Sequence, residues 1–352
     1  MATDIPIPTR TLIPIPTEPA MSTRRDFLKS MGALAAVPAL SASAASDTLG
    51  EMLPTRRLGR TGLDVTAFCL GGAHMEMAED EKASQEVIET AIASGVRFFD
   101  SARTYGRGRA DTLYGKFLTP KYRDHVRIMS KSTGTTRAAV VGDLESSLRD
   151  MKTDHLDLWQ IHSLSSPEDV DNRIRDGVLD AFLEEREKGR VKHIGFTGHC
   201  SHKAHLHMLA QLKSRRLELE TCQMPMNLVD PHYDSFITNV LPELVERKYG
   251  ILAMKTLVFG RLLGAGPENL RKAHGPTGNL LEEGFKLSDL LGYVLSLPIS
   301  SLVSGCNTAA IVRENTTIVR DFKPMTAEQR DALLARTESH AGGTMEYYKK
   351  KV

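Results

Sequence analysis

Beyond residue 54 the chain alternates short apolar runs with longer stretches whose apolar positions recur every three to four residues. Eight runs stand out: Ala67–Gly71, Val96–Asp100, Val126–Lys131, Leu156–His162, His193–Thr197, Leu219–Gln223, Ile251–Lys255 and Ser301–Gly305. Each has strand length and is apolar enough to be covered on both faces. Between them, Lys82–Ser94, Arg137–Met151, Val178–Lys188 and Leu287–Ser296 show the period of amphipathic helices. Eight strand–helix alternations predict an α/β fold, a closed parallel (β/α)8 TIM barrel. An open doubly wound sheet would carry GxGxxG after its first strand, and Cys69-Leu70-Gly71-Gly72-Ala73 does not match it.

Two additions decorate the barrel. Arg56–Thr66 reads as a β-hairpin turning at Gly59-Arg60-Thr61-Gly62, placed to plug the N-terminal end. Residues 256–286 form a connection after strand seven far longer than usual, on the side where barrels build their sites, and are expected to cover the site. The expected organisation is a leader over 1–45, a linker over 46–54, the barrel over 55–340 and a C-terminal tail over 341–352.

The leader changes the picture of where the protein works. Thr23-Arg24-Arg25-Asp26-Phe27-Leu28-Lys29 is followed by a mildly apolar run from Met31 to Leu40 and by the small residues Ser41-Ala42-Ser43-Ala44-Ala45. A charged region, a short apolar region and an A-x-A-like cleavage site in that order predict a twin-arginine signal cleaved near Ala44 or Ala45. The expected partner is the twin-arginine export machinery and the expected location periplasmic or otherwise extracytoplasmic. The Pro-rich repeat upstream, Ile5–Thr9 and Ile13–Thr17, is either leader extension or sequence ahead of a start at Met21.

Composition excludes several alternatives. Of 352 residues, 25% are charged and the net charge is +1, with no basic run interleaved with aromatics, so no nucleic-acid partner is expected. No apolar stretch reaches the ~20 residues of a membrane span. Cys69, Cys200, Cys222 and Cys306 are scattered without a CxxC pair and read as free thiols.

The candidate chemistry lies at the ends of the runs. Asp100, Lys131 and His162 each close an apolar run, and each is 31 residues from the next. One βα unit per step places three polar side chains at the C-terminal ends of three adjacent strands. Tyr105 follows in the loop above the first of them, and Gly106 lets the backbone bend the phenol inward. Reducing a carbonyl requires a hydride at carbon and a proton at oxygen. A tyrosine, with a pKa of ~10, gives up its proton more readily beside an ammonium such as Lys131. Asp100 would keep that lysine charged, and His162 would orient the carbonyl or share the proton relay.

These segments resemble a known family. Phe98-Phe99-Asp100-Ser101-Ala102-Arg103-Thr104-Tyr105-Gly106, Met129-Ser130-Lys131-Ser132 and Leu158-Trp159-Gln160-Ile161-His162-Ser163 are similar to signature segments of the aldo-keto reductases, as is the hairpin Arg56–Leu63. The resemblance covers roughly residues 55–340. It implies NAD(P)H-linked interconversion of a carbonyl and an alcohol, Tyr105 as the acid, no metal, and a histidine at 162 suited to carbonyls rather than steroid-type double bonds.

The same resemblance places the cofactor against Gly72, Ser163, Thr197, Gln223, Lys255, Thr256, Ser304, Arg313, Glu314 and Asn315. The family's Ser-Asn at strand five stands here as Thr197-Gly198, with His199 as a substitute for the lost amide. Its ring-stacking tyrosine after strand seven is replaced by Lys255, which can reach the pyrophosphate or a substrate anion instead. The basic residues that hold a 2′-phosphate align with Gly305 and Ile311, yet NADP(H) is the expected cofactor on family habit against these local residues, with Arg313 a candidate to compensate and NAD(H) the alternative. His74, Met75 and Ser163 are expected near the carbonyl of a small-molecule substrate. Two other classes are weighed: a non-catalytic nicotinamide-binding module, which has no need of a Tyr–Lys pair, and a metal-dependent barrel enzyme. The latter would want two histidines at one strand end plus carboxylates, a pattern not found, and the cluster His199, Cys200, His202, His205 and His207 is read as no metal site, with His202 and His205 expected on a solvated helix face.

Overall fold

The computed structural model describes residues 45–349, so the leader with its twin-arginine motif lies outside the described residues. Eight parallel strands close a barrel: β1 (Phe68–Gly71), β2 (Phe98–Asp100), β3 (Arg127–Ser132), β4 (Leu156–Ile161), β5 (Val191–Thr197), β6 (Thr221–Pro225), β7 (Gly250–Met254) and β8 (Ser301–Gly305). Closure is made where β8 pairs with β1, Gly305 opposite Gly71. The outer ring is α1 (Glu81–Ala93), α2 (Arg109–Phe117), α3 (Arg137–Met151), α4 (Val178–Glu187), α5 (His202–Ser214), α6 (Leu241–Glu246), α7 (Leu287–Leu295) and α8 (Ala309–Arg320).

The helices begin where a short polar side chain can cap them. Asp80, Thr136 and Thr308 accept backbone N–H bonds from the first turns of α1, α3 and α8. Expected and observed boundaries differ where the backbone is engaged elsewhere. Val96 donates to Ala91 O, closing the turn after α1, so β2 begins later than the apolar run does. Met226 N bonds Met254 O, which carries β6 on to Pro225.

Inside the barrel, Cys69, Phe98, Met129, Leu158, Leu252 and Val303 form a core layer, completed from below by Leu58 and Val65 of the hairpin Thr55–Arg57/Asp64–Thr66. The hairpin is thus a plug whose apolar side chains continue the barrel core. Gly59 sits in its turn at φ +51, and a Cβ there would fall 2.1 Å from Gly250 N, so the close approach of plug and β7 requires glycine.

The stretches on either side of the barrel are built into it. Ser46–Asp47 pairs with Gly50–Glu51, and the Asp47 carboxylate accepts from Arg97 Nε at 2.7 Å and Nη2 at 3.0 Å, just before β2. At the other terminus Lys349 Nζ donates to Asp230 at 2.7 Å, Glu346 at 2.7 Å and Tyr233 O at 2.6 Å, while Glu346 accepts from Asn227 and Tyr348. This buried network holds residues 346–349 against the loop after β6. The long connection after β7 carries a helix, Glu268–His274, and is organised by the buried Arg261, which donates to Gly275 O and Thr344 O at 2.9 Å each.

Candidate active site

Asp100, Lys131, Tyr105 and His162 converge above the C-terminal ends of β2, β3 and β4. Lys131 is buried, and its ammonium donates to Asp100 Oδ1, to Ser101 O at 2.8 Å and to Tyr105 Oη at 3.2 Å, which uses all three N–H directions. The carboxylate of Asp100 also accepts from Gly72 N–H. Gly106 and Arg107, at φ 55° and 54°, make the left-handed bend that turns Tyr105 inward. The ring of His162 meets that of Tyr105 edge-on, centroids 6.0 Å apart at 88°.

Burial dominates the electrostatics. It pushes the Tyr105 phenol up to about 12; Lys131 pulls the other way and Asp100 adds to the rise. Lys131 pulls toward ionisation, the direction expected, but desolvation outweighs that pull and the phenol stays protonated at neutral pH. His162 is held well below the usual imidazole range by burial and then by Lys131, His199 and Lys255, so the ring is neutral. Burial raises the Asp100 carboxyl against the pull of Lys131, while Lys131, though burial opposes its charge, is raised by Asp100 and Tyr105. With every polar atom of the pair engaged, the ion pair is the arrangement that leaves no charge uncompensated.

A cavity of about 570 Å³ opens beside this group, within the range of small-molecule and cofactor sites. Asp100, Tyr105, Glu314 and Asn315 are among the residues that line it. Of the residues expected to hold the cofactor, Gln223, Lys255, Thr256, Ser304, Glu314 and Asn315 line this cavity. Gly72, Ser163, Thr197 and Arg313 do not: Gly72 and Thr197 are buried in the barrel, and Arg313 is exposed. Gln223 Oε1 accepts from Gln160 Nε2 at 2.8 Å, which orients its amide at the cavity wall, and Thr256 Oγ1 is buried with no hydrogen-bond partner. A cavity of this volume with an orphaned hydroxyl, a fixed amide and an amine on its wall fits a nicotinamide dinucleotide.

Sequence reasoning missed part of the wall. Phe259 stacks on His74, centroids 4.9 Å apart, across the cleft from the β7 loop to the β1 loop. A Cβ at 305 would fall 1.8 Å from His74 Nδ1, so Gly305 is what admits that ring. Tyr348, from the expected tail, has its ring 5.9 Å from that of His199 and 5.8 Å from Lys255 Nζ. His205 is buried between Phe196 and Phe236, centroids 5.4 and 5.1 Å away, which corrects the expectation of a solvated helix face.

Comparison with known proteins agrees with this geometry. Residues 67–311 match the aldo/keto reductase family, and residues 21–41 match the twin-arginine translocation pathway signal sequence. The uncharacterized oxidoreductase YrpG of Bacillus subtilis (strain 168) is 28% identical over 232 residues, 59% of this chain and 67% of the relative. Aldo-keto reductase YhdN of the same organism is 27% identical over 222 residues, 58% of this chain and 62% of the relative. The solved holo form of aldo-keto reductase AKR11C1 from Bacillus halodurans shares the fold, with a TM-score of 0.67 at 18% identity over 84% of this chain and 99% of that one. A barrel closed in this order, and a family pattern running from its first strand into its last helix, establish that the chain belongs to the aldo/keto reductase family.

Proposed function

We propose that this oxidoreductase interconverts a carbonyl compound and an alcohol, with Tyr105 as general acid and base. The observation that carries the reading is the Lys131 ammonium shared between Asp100 and Tyr105 at the cavity wall. A phenol oxygen that accepts from an ammonium keeps its own O–H for another acceptor, and a carbonyl oxygen in the cavity is such an acceptor. The nicotinamide cofactor, when bound, supplies hydride to the carbonyl carbon. As negative charge grows on oxygen, Tyr105 Oη delivers its proton, and Lys131 stabilises the phenolate left behind. Asp100 holds Lys131 in place. His162, neutral, has an N–H to offer the carbonyl oxygen and no proton to transfer.

Gln223, Lys255, Thr256, Ser304, Glu314 and Asn315 are the residues we assign to the cofactor. Glu314 lines the cavity while the neighbouring, exposed Arg313 does not, so we assign NAD(H) in preference to the NADP(H) expected on family habit. Titration of the protein with each reduced form, followed by cofactor fluorescence, tests this; tighter NADPH reverses it. A twin-arginine signal directs export of folded protein, so we assign an extracytoplasmic site and a cofactor carried out in the cleft. Protein purified without added nucleotide is then expected to show nicotinamide absorbance.

The decisive test replaces Tyr105 by Phe and follows NAD(P)H consumption with a panel of aldehydes and quinones. Loss of about 10²- to 10⁴-fold in kcat with cofactor affinity retained is expected. A parent protein that binds cofactor but turns over no carbonyl would favour the non-catalytic module.

A further inference from the structure

Lys255 follows β7 in the left-handed region, φ +60, as do Val258 at +50 and Phe259 at +55. Non-glycine residues adopt this conformation only under constraint, and such strain gathers where a side chain must be aimed. Here it aims an amine into the cavity. Lys255 Nζ lies 3.9 Å from the centre of the Phe259 ring and 5.8 Å from that of Tyr348. Both rings present electron-rich faces but no counter-charge.

The titratable neighbours come from five other segments. Lys131 of β3 opposes the ammonium, and Cys200 after β5 favours it. His74 after β1 and His162 after β4 are themselves held neutral partly by Lys255. Tyr348 of the C-terminal segment covers the remaining side. No carboxylate among the described residues acts on Lys255. Asp100 is engaged by Lys131, and Glu314, which also lines the cavity, is not among the groups that act on Lys255. A cation walled by aromatics and other bases, with its open side on the cavity, is compensated only by what enters the cavity.

We propose that Lys255 is an anion-capture site that binds an oxyanion of the ligand, either a carboxylate on the carbonyl substrate or a phosphate of the nucleotide. The inference rests on reading this cavity as the oxidoreductase site. It goes further in requiring proton uptake on binding. Burial, then Lys131, pulls the free amine down to about 7. An oxyanion against it favours the charged form, so above pH 7 the anion binds together with a proton.

Calorimetry of the whole protein at pH 8, in two buffers of different ionisation enthalpy, reads that proton without any turnover. A failure of carbonyl reduction therefore leaves this test intact. The probes are ADP-ribose, which carries the pyrophosphate without nicotinamide, para-carboxybenzaldehyde, and the neutral para-methylbenzaldehyde. Lys255→Met is expected to weaken one or both anionic probes on the order of tenfold or more while leaving the neutral aldehyde unchanged. Loss confined to ADP-ribose identifies the phosphate; loss confined to para-carboxybenzaldehyde identifies a carboxylate-bearing substrate. Lys255→Arg, which cannot be deprotonated, is expected to retain anion affinity and abolish proton uptake. Unchanged affinity for both anions in Lys255→Met, or proton uptake persisting in Lys255→Arg, overturns the proposal, as does failure of the parent protein to bind either anion.

Discussion

Replacing Lys131 by Met removes the cation from a buried pair and leaves Asp100, 1% exposed, with the Gly72 N–H as its other carboxylate partner. Two unit charges about 4 Å apart at an effective dielectric of ~20 attract by about 4 kcal/mol. Breaking a buried pair from one side costs ~3–5 kcal/mol, because the remaining charge is uncompensated. That is the expected loss of unfolding free energy at pH 8. The loss carries a pH signature. Without Lys131, burial raises the Asp100 carboxyl further; below the unfolded value of ~3.9 both states are protonated and nothing is lost, and the penalty grows as pH rises through the folded value. Denaturant unfolding followed by the sole tryptophan, Trp159, stacked on Phe182 with centroids 3.6 Å apart, measures it. The variant should lose less at pH 5 than at pH 8, and adding Asp100→Asn should restore most of the loss at pH 8. A loss below about 1 kcal/mol at pH 8, equal at both pH values, would refute the buried ion pair.

Other consequences follow from the same geometry. Because Tyr105 is pushed up to about 12 and His162 is already neutral, carbonyl reduction of a neutral aldehyde should be flat between pH 6 and 9, while alcohol oxidation, which needs the phenolate, should rise with pH; a bell-shaped reduction profile centred near neutrality contradicts the assignment. Glu346 is pushed up to about 7 by burial and by Asp230. Its raised carboxyl costs stability as pH climbs from its ordinary value through 7, so Glu346→Gln should flatten that decline in a thermal-shift series from pH 4.5 to 8. Gly305→Ala should dislodge His74 from the cleft and weaken cofactor binding, and His74→Ala on that background should recover it; an additive double mutant in fluorescence titration would disprove the contact.

Asp100, Lys131 and His162 were legible because a (β/α)8 chain repeats its geometry: equal spacing by one strand–helix unit places side chains at equivalent strand ends. Tyr105 was legible from the glycine after it, which allows the left-handed bend. Lys255 was visible as a departure from the family pattern, but its place in the cavity was not. His74 was expected near the carbonyl, but its contact with Phe259 was not, and Phe259 and Tyr348 left no comparable trace. They meet from loops after β1 and β7 and from the C-terminal segment, far apart in the chain, and no periodicity links such positions. The one local hint was Gly305, a missing side chain whose meaning depends on the His74 ring that fills the space.

From sequence alone, then, came the barrel, its plug, the export signal and the candidate proton-handling group, since each is written in local composition or in a repeat that the backbone obeys. Only the tertiary structure decided how those groups are charged. Whether Tyr105 is eased or hindered in ionising depends on burial set against the Lys131 ammonium, and burial is a sum over everything packed around the phenol. The same holds for Lys255, whose charge we leave to the cavity because its surroundings among the described residues, drawn from five separate segments, supply rings and bases but no carboxylate that acts on it.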